Sequence, residues 1–143
     1  MRSSGIFKIV NTNGKKIANV LIFYRHSDNP EEEGFWPDTL LPNPWPQSTD
    51  VDSMMDFVKE EMDRKSHRKF FVTQCVLTPT GSYLSRNVKG SLKKNLADPC
   101  NKEVLKWVSS LSSKNRLPNV IMIDFVDNDD WAIPKAIIKQ NFK

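Results

Sequence analysis

The residue whose type and setting most invite chemistry is Asp124, a carboxylate near the end of the apolar run NVIMIDFV (119–126). Pro118 precedes this run and Asp127, Asn128, Asp129 and Asp130 follow it, which reads as a parallel-sheet strand buried on both faces. An unpaired carboxylate in such a strand costs several kcal/mol (about 2–7 even for a neutral polar group), so Asp124 is expected to have a partner. In parallel α/β folds the polar residues at the C-terminal strand ends line the active site, and the natural partner for an Asp there is a histidine. His26 lies just past the end of an earlier strand, whereas His67, in RKSHRK (64–69), falls at the opposite, N-terminal face of a sheet. Four further residues share the expected position of Asp124. They are Tyr24 and Arg25 on a first strand, and Gln74 and Thr78 on a second. Such a ring suits a polyhydroxylated or phosphorylated ligand. Cys75 has no base near it in sequence and reads as a small core residue rather than a nucleophile.

The elements that must position these groups alternate along the chain. IANVLIF (17–23) is an apolar, β-branched run that reads as a buried strand. A long segment, 28–47, holds 5 prolines and 2 tryptophans, a composition that favours a loop packed on the body over a floppy linker. Thr49 is the expected N-cap of the next helix, with Asp52 completing an approximate capping box. Val51, Met54, Met55, Val58 and Met62 recur on one face of that helix as core. FFVTQCVL (70–77) is the second strand, closed by Thr78-Pro79 and the turn at Thr80-Gly81. Residues 82–101 are ambiguous, with a weak helical pattern at Val88, Leu92 and Leu96, and Cys100 falls in a polar turn. Glu103–Leu111 is a helix with Val104, Leu105, Val108 and Leu111 inward. After the third strand, Trp131–Phe142 is a closing helix with Pro134 in its first turn and Ile133, Ala136, Ile137 and Ile138 available to the core. The order strand–loop–helix–strand–helix–strand–helix implies an α/β fold with parallel strands and right-handed crossovers.

Bulk properties exclude several function classes. At 143 residues the chain has room for one domain and one core. It has no apolar stretch long enough to span a bilayer, and its first residues lack the apolar centre of a secretion signal. Two cysteines build neither a disulfide framework nor a metal cluster, which points to a reducing, cytoplasmic setting. No GxGxxG, P-loop, GxSxG or zinc spacing occurs. Residues 64–116 hold 12 Lys and Arg against only Asp98 and Glu103, so an anionic partner such as a lipid headgroup or phosphate is open alongside plain solvated faces. Aromatics do not interleave with these cations, which argues against nucleic acid.

Taken in order, VLIFYRHS, GFWPDTLLPNPWPQSTDVDSMMDFV, FFVTQCVLTP and NVIMIDFV with a closing helix resemble the C-terminal half of phosphatidylinositol-specific phospholipase C X-domain proteins, closest to the short eukaryotic type that carries only an X domain. The resemblance covers about 16–143. It implies that 1–143 is a single incomplete domain, roughly the C-terminal half of a distorted TIM-type (β/α) barrel with its phosphodiester site at the C-terminal strand ends. It further implies cleavage between diacylglycerol and phosphoinositol by two histidines, a general base on the inositol 2-hydroxyl and a general acid on the leaving oxygen, with an Arg stabilising the transition state. Asp124 takes the place of the carboxylate that supports one histidine. Arg25 and Gln74 fall near inositol-contacting positions, with Tyr24 and Thr78 beside them.

The catalytic histidines of that family lie in GSHD-like and AHG-like contexts, and neither occurs in this chain. The calcium ligands of calcium-dependent members belong to the same missing half, so this chain is expected to carry no cofactor of its own. Its implied partners are a phosphoinositide or inositol phosphate headgroup, a peripheral membrane surface and the absent N-terminal half-barrel, whose loss leaves a sheet edge and an apolar face uncovered. Three readings stand: a fragment of a phosphoric diester hydrolase, inactive alone; a short product that binds anionic inositol lipids without catalysis; and an unrelated small α/β domain.

Overall fold

The computed structural model describes residues 9–10, 16–17, 23–25, 36–64, 69–111, 117–140 and 142. Helix α1, Val51–Arg64, shows how local chemistry sets its elements. The helix is capped by Asp50, one residue later than the Thr49 expected from sequence: the Ser53 backbone N–H donates to Asp50 Oδ2 at 2.8 Å and the Met54 N–H to the Asp50 carbonyl at 3.1 Å. The Ser53 amide and hydroxyl hold the Asp50 carboxyl below the ordinary carboxylate range. The apolar stripe turns inward as its spacing dictates, with Met54, Met55, Val58 and Met62 buried. The outer face is laced by Arg64–Glu61 at 2.9 Å and Lys59–Asp56 at 3.6 Å, exposed pairs each worth about 0.3–0.5 kcal/mol.

The chain divides into two compact units, residues 1–42 with 67–70, and residues 43–66 with 71–143. In the first unit, β1 (Ile9–Val10) and β2 (Lys16–Ile17) form an antiparallel pair that the sequence patterns do not announce. The expected first strand is described only at its ends; residues 18–22 lie outside the described set, and the described part is β3, Phe23–Tyr24. This strand runs parallel to β4, Trp36–Pro37, inside the proline-rich segment, which continues as a 3-10 turn over Asp38–Leu40. Phe23 makes an edge-on contact with Trp36 at 5.6 Å and stacks on Phe70 at 6.1 Å. Such aromatic pairs add about 0.5–1.5 kcal/mol beyond area burial.

The second unit holds the principal core. β5 (Val72–Gln74) pairs in parallel with β6 (Val120–Met122), in the register Val72 with Val120, Thr73 with Ile121 and Gln74 with Met122. The ladder extends through Cys75 N–H to the Met122 carbonyl at 2.9 Å, and the Asn119 side chain accepts the Phe71 N–H at 3.0 Å where the pair begins. Helix α2 (Gly81–Arg86) is capped by the Thr80 hydroxyl. The ambiguous stretch then resolves into a π-helical turn at Lys93–Ala97 that runs directly into α3, Asp98–Ser110. The helix expected from Glu103 therefore starts five residues earlier. Cys100 is accordingly a buried core residue on α3, not a member of a polar turn, and packs with Met54, Val58, Cys75, Leu96, Val104, Val108 and Ile133.

Two expectations for the C-terminal part need correction. The run 119–126 is not buried on both faces: Ile121 and Ile123 pack against the core, while Val120, Met122, Asp124, Phe125 and Val126 are exposed. The reason is that helices cover only one face of the two-stranded sheet among the described residues. The closing helix α4, Asn128–Gln140, begins with a left-handed turn at Asp129, Asp130 and Trp131 (φ 50°, 55° and 61°), so regular right-handed helix starts after Trp131. Left-handed backbone costs about 1–2 kcal/mol per residue, least for Asp, which explains two of the three positions but not Trp131. Ile133 is buried and Ala136 and Ile137 pack beside it, whereas Ile138 is exposed. The result is an α/β arrangement of helices flanking short parallel strand pairs.

Candidate functional site

Strand alternation decides which side chains meet. On β5, Thr73 and Cys75 face the helices: the Thr73 hydroxyl reaches Met62 Sδ at 3.5 Å and Cys75 is wholly buried in the core. Val72 and Gln74 therefore point to the other face. On β6, Val120 and Met122 take that face while Ile121, and Ile123 just beyond the strand, pack on the core; Asp124 follows in a bend. The register thus sets Gln74 beside Met122 at the C-terminal end of the pair, with Asp124, the other residue singled out by sequence, two residues further on.

Their environments differ. Gln74 is buried, its Nε2 donating to the Asn43 carbonyl at 3.2 Å and its Oε1 having no hydrogen-bond partner. The segment before α1 folds over this strand end: Trp45 Nε1 donates to the Thr78 hydroxyl at 2.5 Å, and the Thr78 N–H donates to the Ser48 carbonyl at 2.7 Å. Thr78 thus accepts from an indole and keeps its own proton to donate. Asp124 is exposed, so it escapes the desolvation cost that the sequence implied, and its backbone carbonyl is held by Asn101 Nδ2 at 2.8 Å. Tyr24 and Arg25 lie in the first unit, where Arg25 Nε donates to Asp38 Oδ2 at 2.8 Å in a largely exposed pair. His26 and His67 lie outside the described residues.

Four residues carry roles that the sequence patterns did not assign: Asn101, Lys93, Asp98 and Asn128. Asn101 occupies an inward position of α3, buried with its Oδ1 unpartnered, and tethers the end of β6. Its one sequence signal was an amide standing in the apolar stripe of Val104 and Val108. Lys93 Nζ and Asn128 Nδ2 both donate to Asp98 Oδ1, at 2.9 and 2.8 Å, and joint hydrogen bonding, led by Lys93, holds that carboxyl below the ordinary range. The spacing of 30 residues between Asp98 and Asn128 carries no sequence signal.

The thiols are not nucleophiles. Burial pushes Cys75 up to about 12 and Cys100 to about 11, the charge of Asp124 adding to the second shift. Cys100 Sγ donates to the Cys75 carbonyl at 3.3 Å. A cleft of about 360 Å³ between α1 and α3 contains none of the predicted site residues; its Lys106–Glu103 pair at 2.6 Å marks a charge-compensated surface. Among the described residues no group of His, Cys, Asp and Glu could hold a metal ion, so calcium has no fitting donor set there. No described helix is long and apolar enough to cross a membrane. Chemically, the sheet end offers the exposed Asp124 carboxylate, which can accept a hydrogen bond or a proton, and the half-buried Thr78 hydroxyl, while the Gln74 amide is buried.

Comparison with known proteins connects this arrangement to a family. No family model and no solved structure matches the chain. It is 27% identical over 129 residues to the PI-PLC X domain-containing protein 3 of Homo sapiens and 29% identical over 129 residues to that of Danio rerio, in each case across 90% of the chain. Against the PI-PLC X domain-containing protein 2 of Mus musculus it is 31% identical over 119 residues, 82% of the chain. The matched region makes up 40%, 39% and 35% of those three relatives, respectively. The chain is therefore related, over most of its length, to a part of the PI-PLC X domain-containing proteins.

Proposed function

We propose that the chain forms the C-terminal part of a TIM-type (β/α) barrel of the phosphatidylinositol-specific phospholipase C kind, a phosphoric diester hydrolase of cytoplasmic phosphoinositide metabolism and signalling, and that it is catalytically silent by itself. The observation that carries this reading is the parallel pairing of β5 and β6, whose exposed Val120 and Met122 form a face suited to become a barrel interior once further strands cover it, with Gln74 closing β5 and Asp124 two residues past β6. Asp124 accepts the N–H of a general-base histidine supplied from elsewhere and fixes its tautomer, while Gln74 and Thr78 orient ligand hydroxyls; Arg25 and Tyr24 keep the headgroup-binding role that the resemblance implies. Calcium, where a complete domain uses it, would be held outside the described residues.

A second reading, a non-catalytic module for anionic inositol lipids or inositol phosphates, draws support from the excess of Lys and Arg over acidic residues in 64–116. Mapping the 5′ end of the transcript discriminates the two. In-frame sequence encoding GSHD- and AHG-like motifs supports the hydrolase reading, and its absence overturns it. The product carrying those motifs should hydrolyse phosphatidylinositol vesicles and lose about 100-fold or more in kcat with Asp124→Asn; unchanged kcat in that variant removes Asp124 from its role. Residues 1–143 alone should show no turnover, and any turnover refutes the silence proposed for them.

A further inference from the structure

Residues 81–97, GSYLSRNVKGSLKKNLA, contain Arg86, Lys89, Lys93 and Lys94 and no acidic residue. The same stretch presents apolar side chains to solvent: Leu84 is 47%, Val88 82% and Leu92 51% exposed. Leu84, Val88 and Leu92 line one shallow concavity with Tyr83 and Asn87, so they form a contiguous apolar patch set among the cations. The backbone that carries them is well pinned. The Tyr83 N–H donates to the Thr80 hydroxyl at 3.1 Å, Asn87 Nδ2 to the Tyr83 carbonyl at 2.9 Å, and the Gly90 N–H to the Asn87 carbonyl at 2.7 Å. Gly90 is required by this packing, since a Cβ there would meet Asn95 Nδ2 at 2.6 Å and the Asn87 carbonyl at 2.9 Å. Val88 is therefore held out at the tip of an ordered turn.

We propose that this surface docks on an anionic lipid bilayer, with Leu84, Val88 and Leu92 entering the headgroup region and Arg86, Lys89 and Lys94 facing lipid phosphates. Charge complementarity selects the occupant. Each cation near an anionic leaflet contributes about 1 kcal/mol, and inserted aliphatic groups add to it. Nucleic acid would use the cations but gain nothing from the aliphatic side chains. Lys93 contributes less charge, because Asp98 engages it, but its ammonium lies 5.5 Å from the Phe125 ring and links the patch to the end of β6. The acidic residues Asp127, Asp129 and Asp130 follow Phe125, so the contact runs through 83–94 and stops at Phe125. The surface adds generic lipid attachment beside the C-terminal strand end and does not depend on inositol recognition.

Vesicle sedimentation of the full 143-residue chain tests this with phosphatidylcholine vesicles containing or lacking phosphatidylserine and no inositol lipid. Binding is expected only with phosphatidylserine and should weaken as salt rises. Lys89→Gln with Lys94→Gln should lower the partition coefficient about thirtyfold, at about fivefold per charge. Val88→Ser with Leu92→Ser should lower it by roughly tenfold or more while leaving the circular dichroism spectrum unchanged. Equal binding to both vesicle types overturns the proposal, as does serine-variant binding equal to the parent, or tighter binding to duplex DNA that ignores the serine changes. Because no inositol lipid is present, failure here leaves the hydrolase reading intact, and failure of that reading leaves this one intact.

Discussion

Replacing Gln74 by Met separates structural from functional demands at the sheet end. The parent amide makes one long hydrogen bond to the Asn43 carbonyl, 3.2 Å, and leaves Oε1 buried without a partner. Methionine keeps the length and shape of the side chain and removes both polar groups. Losing the hydrogen bond costs about 0.5–1.5 kcal/mol, and Asn43 is exposed enough for water to take its place. Removing the orphan oxygen returns about 1–3 kcal/mol. The net expectation is a gain of about 1 kcal/mol, or a rise in Tm of roughly 3 °C for a chain of this size. Urea unfolding followed by fluorescence of Trp45 and Trp107 measures it, with unchanged m as the check on two-state behaviour. Binding of phosphatidylinositol vesicles should weaken in the same variant. A loss of about 1 kcal/mol or more of stability would show that Oε1 is satisfied in the folded protein, and the case for a waiting acceptor would fail.

Other outcomes follow from single contacts. Asp50→Ala should cost about 1 kcal/mol by removing the N-cap of α1, and Thr49→Ala much less; the reverse ranking in urea melts would restore the capping box read from sequence. Cys75 and Cys100, with thiols raised to about 12 and 11, should resist a thiol-labelling reagent at neutral pH until the chain unfolds, and rapid labelling of the native protein would contradict their burial. The depressed carboxyl of Asp98 contributes stability that is present above its ordinary value of 3.8 and is lost as pH falls through its lower folded value. Lys93→Met should flatten that acid limb at low salt; an identical acid profile would mean that the pair is not formed in solution.

Much of the scaffold was legible because its determinants are local. The methionine stripe of α1 declares a buried face through spacing alone, and its burial follows. The strand expected at 70–77 forms, with Phe71 and Thr73–Leu77 buried, although ladder pairing covers only Val72–Gln74. The third strand misled for a reason that lies outside itself. A run rich in Val, Ile and Met signals burial, but burial needs a partner on each face, and the described residues cover one. The cap shifted by a residue because Asp and Thr both cap helices and only backbone geometry chooses between them.

The sequence by itself determined the alternation of strands and helices, the carboxylate at the end of the last strand and the kinship with PI-PLC X domain-containing proteins, since each depends on residue type and order. Folding alone sets Gln74 beside Met122, ties Asn101 to the Asp124 carbonyl and brings Lys93 and Asn128 onto Asp98. Strand register and helix packing join residues 23 to 48 positions apart, distances over which composition and periodicity carry no information.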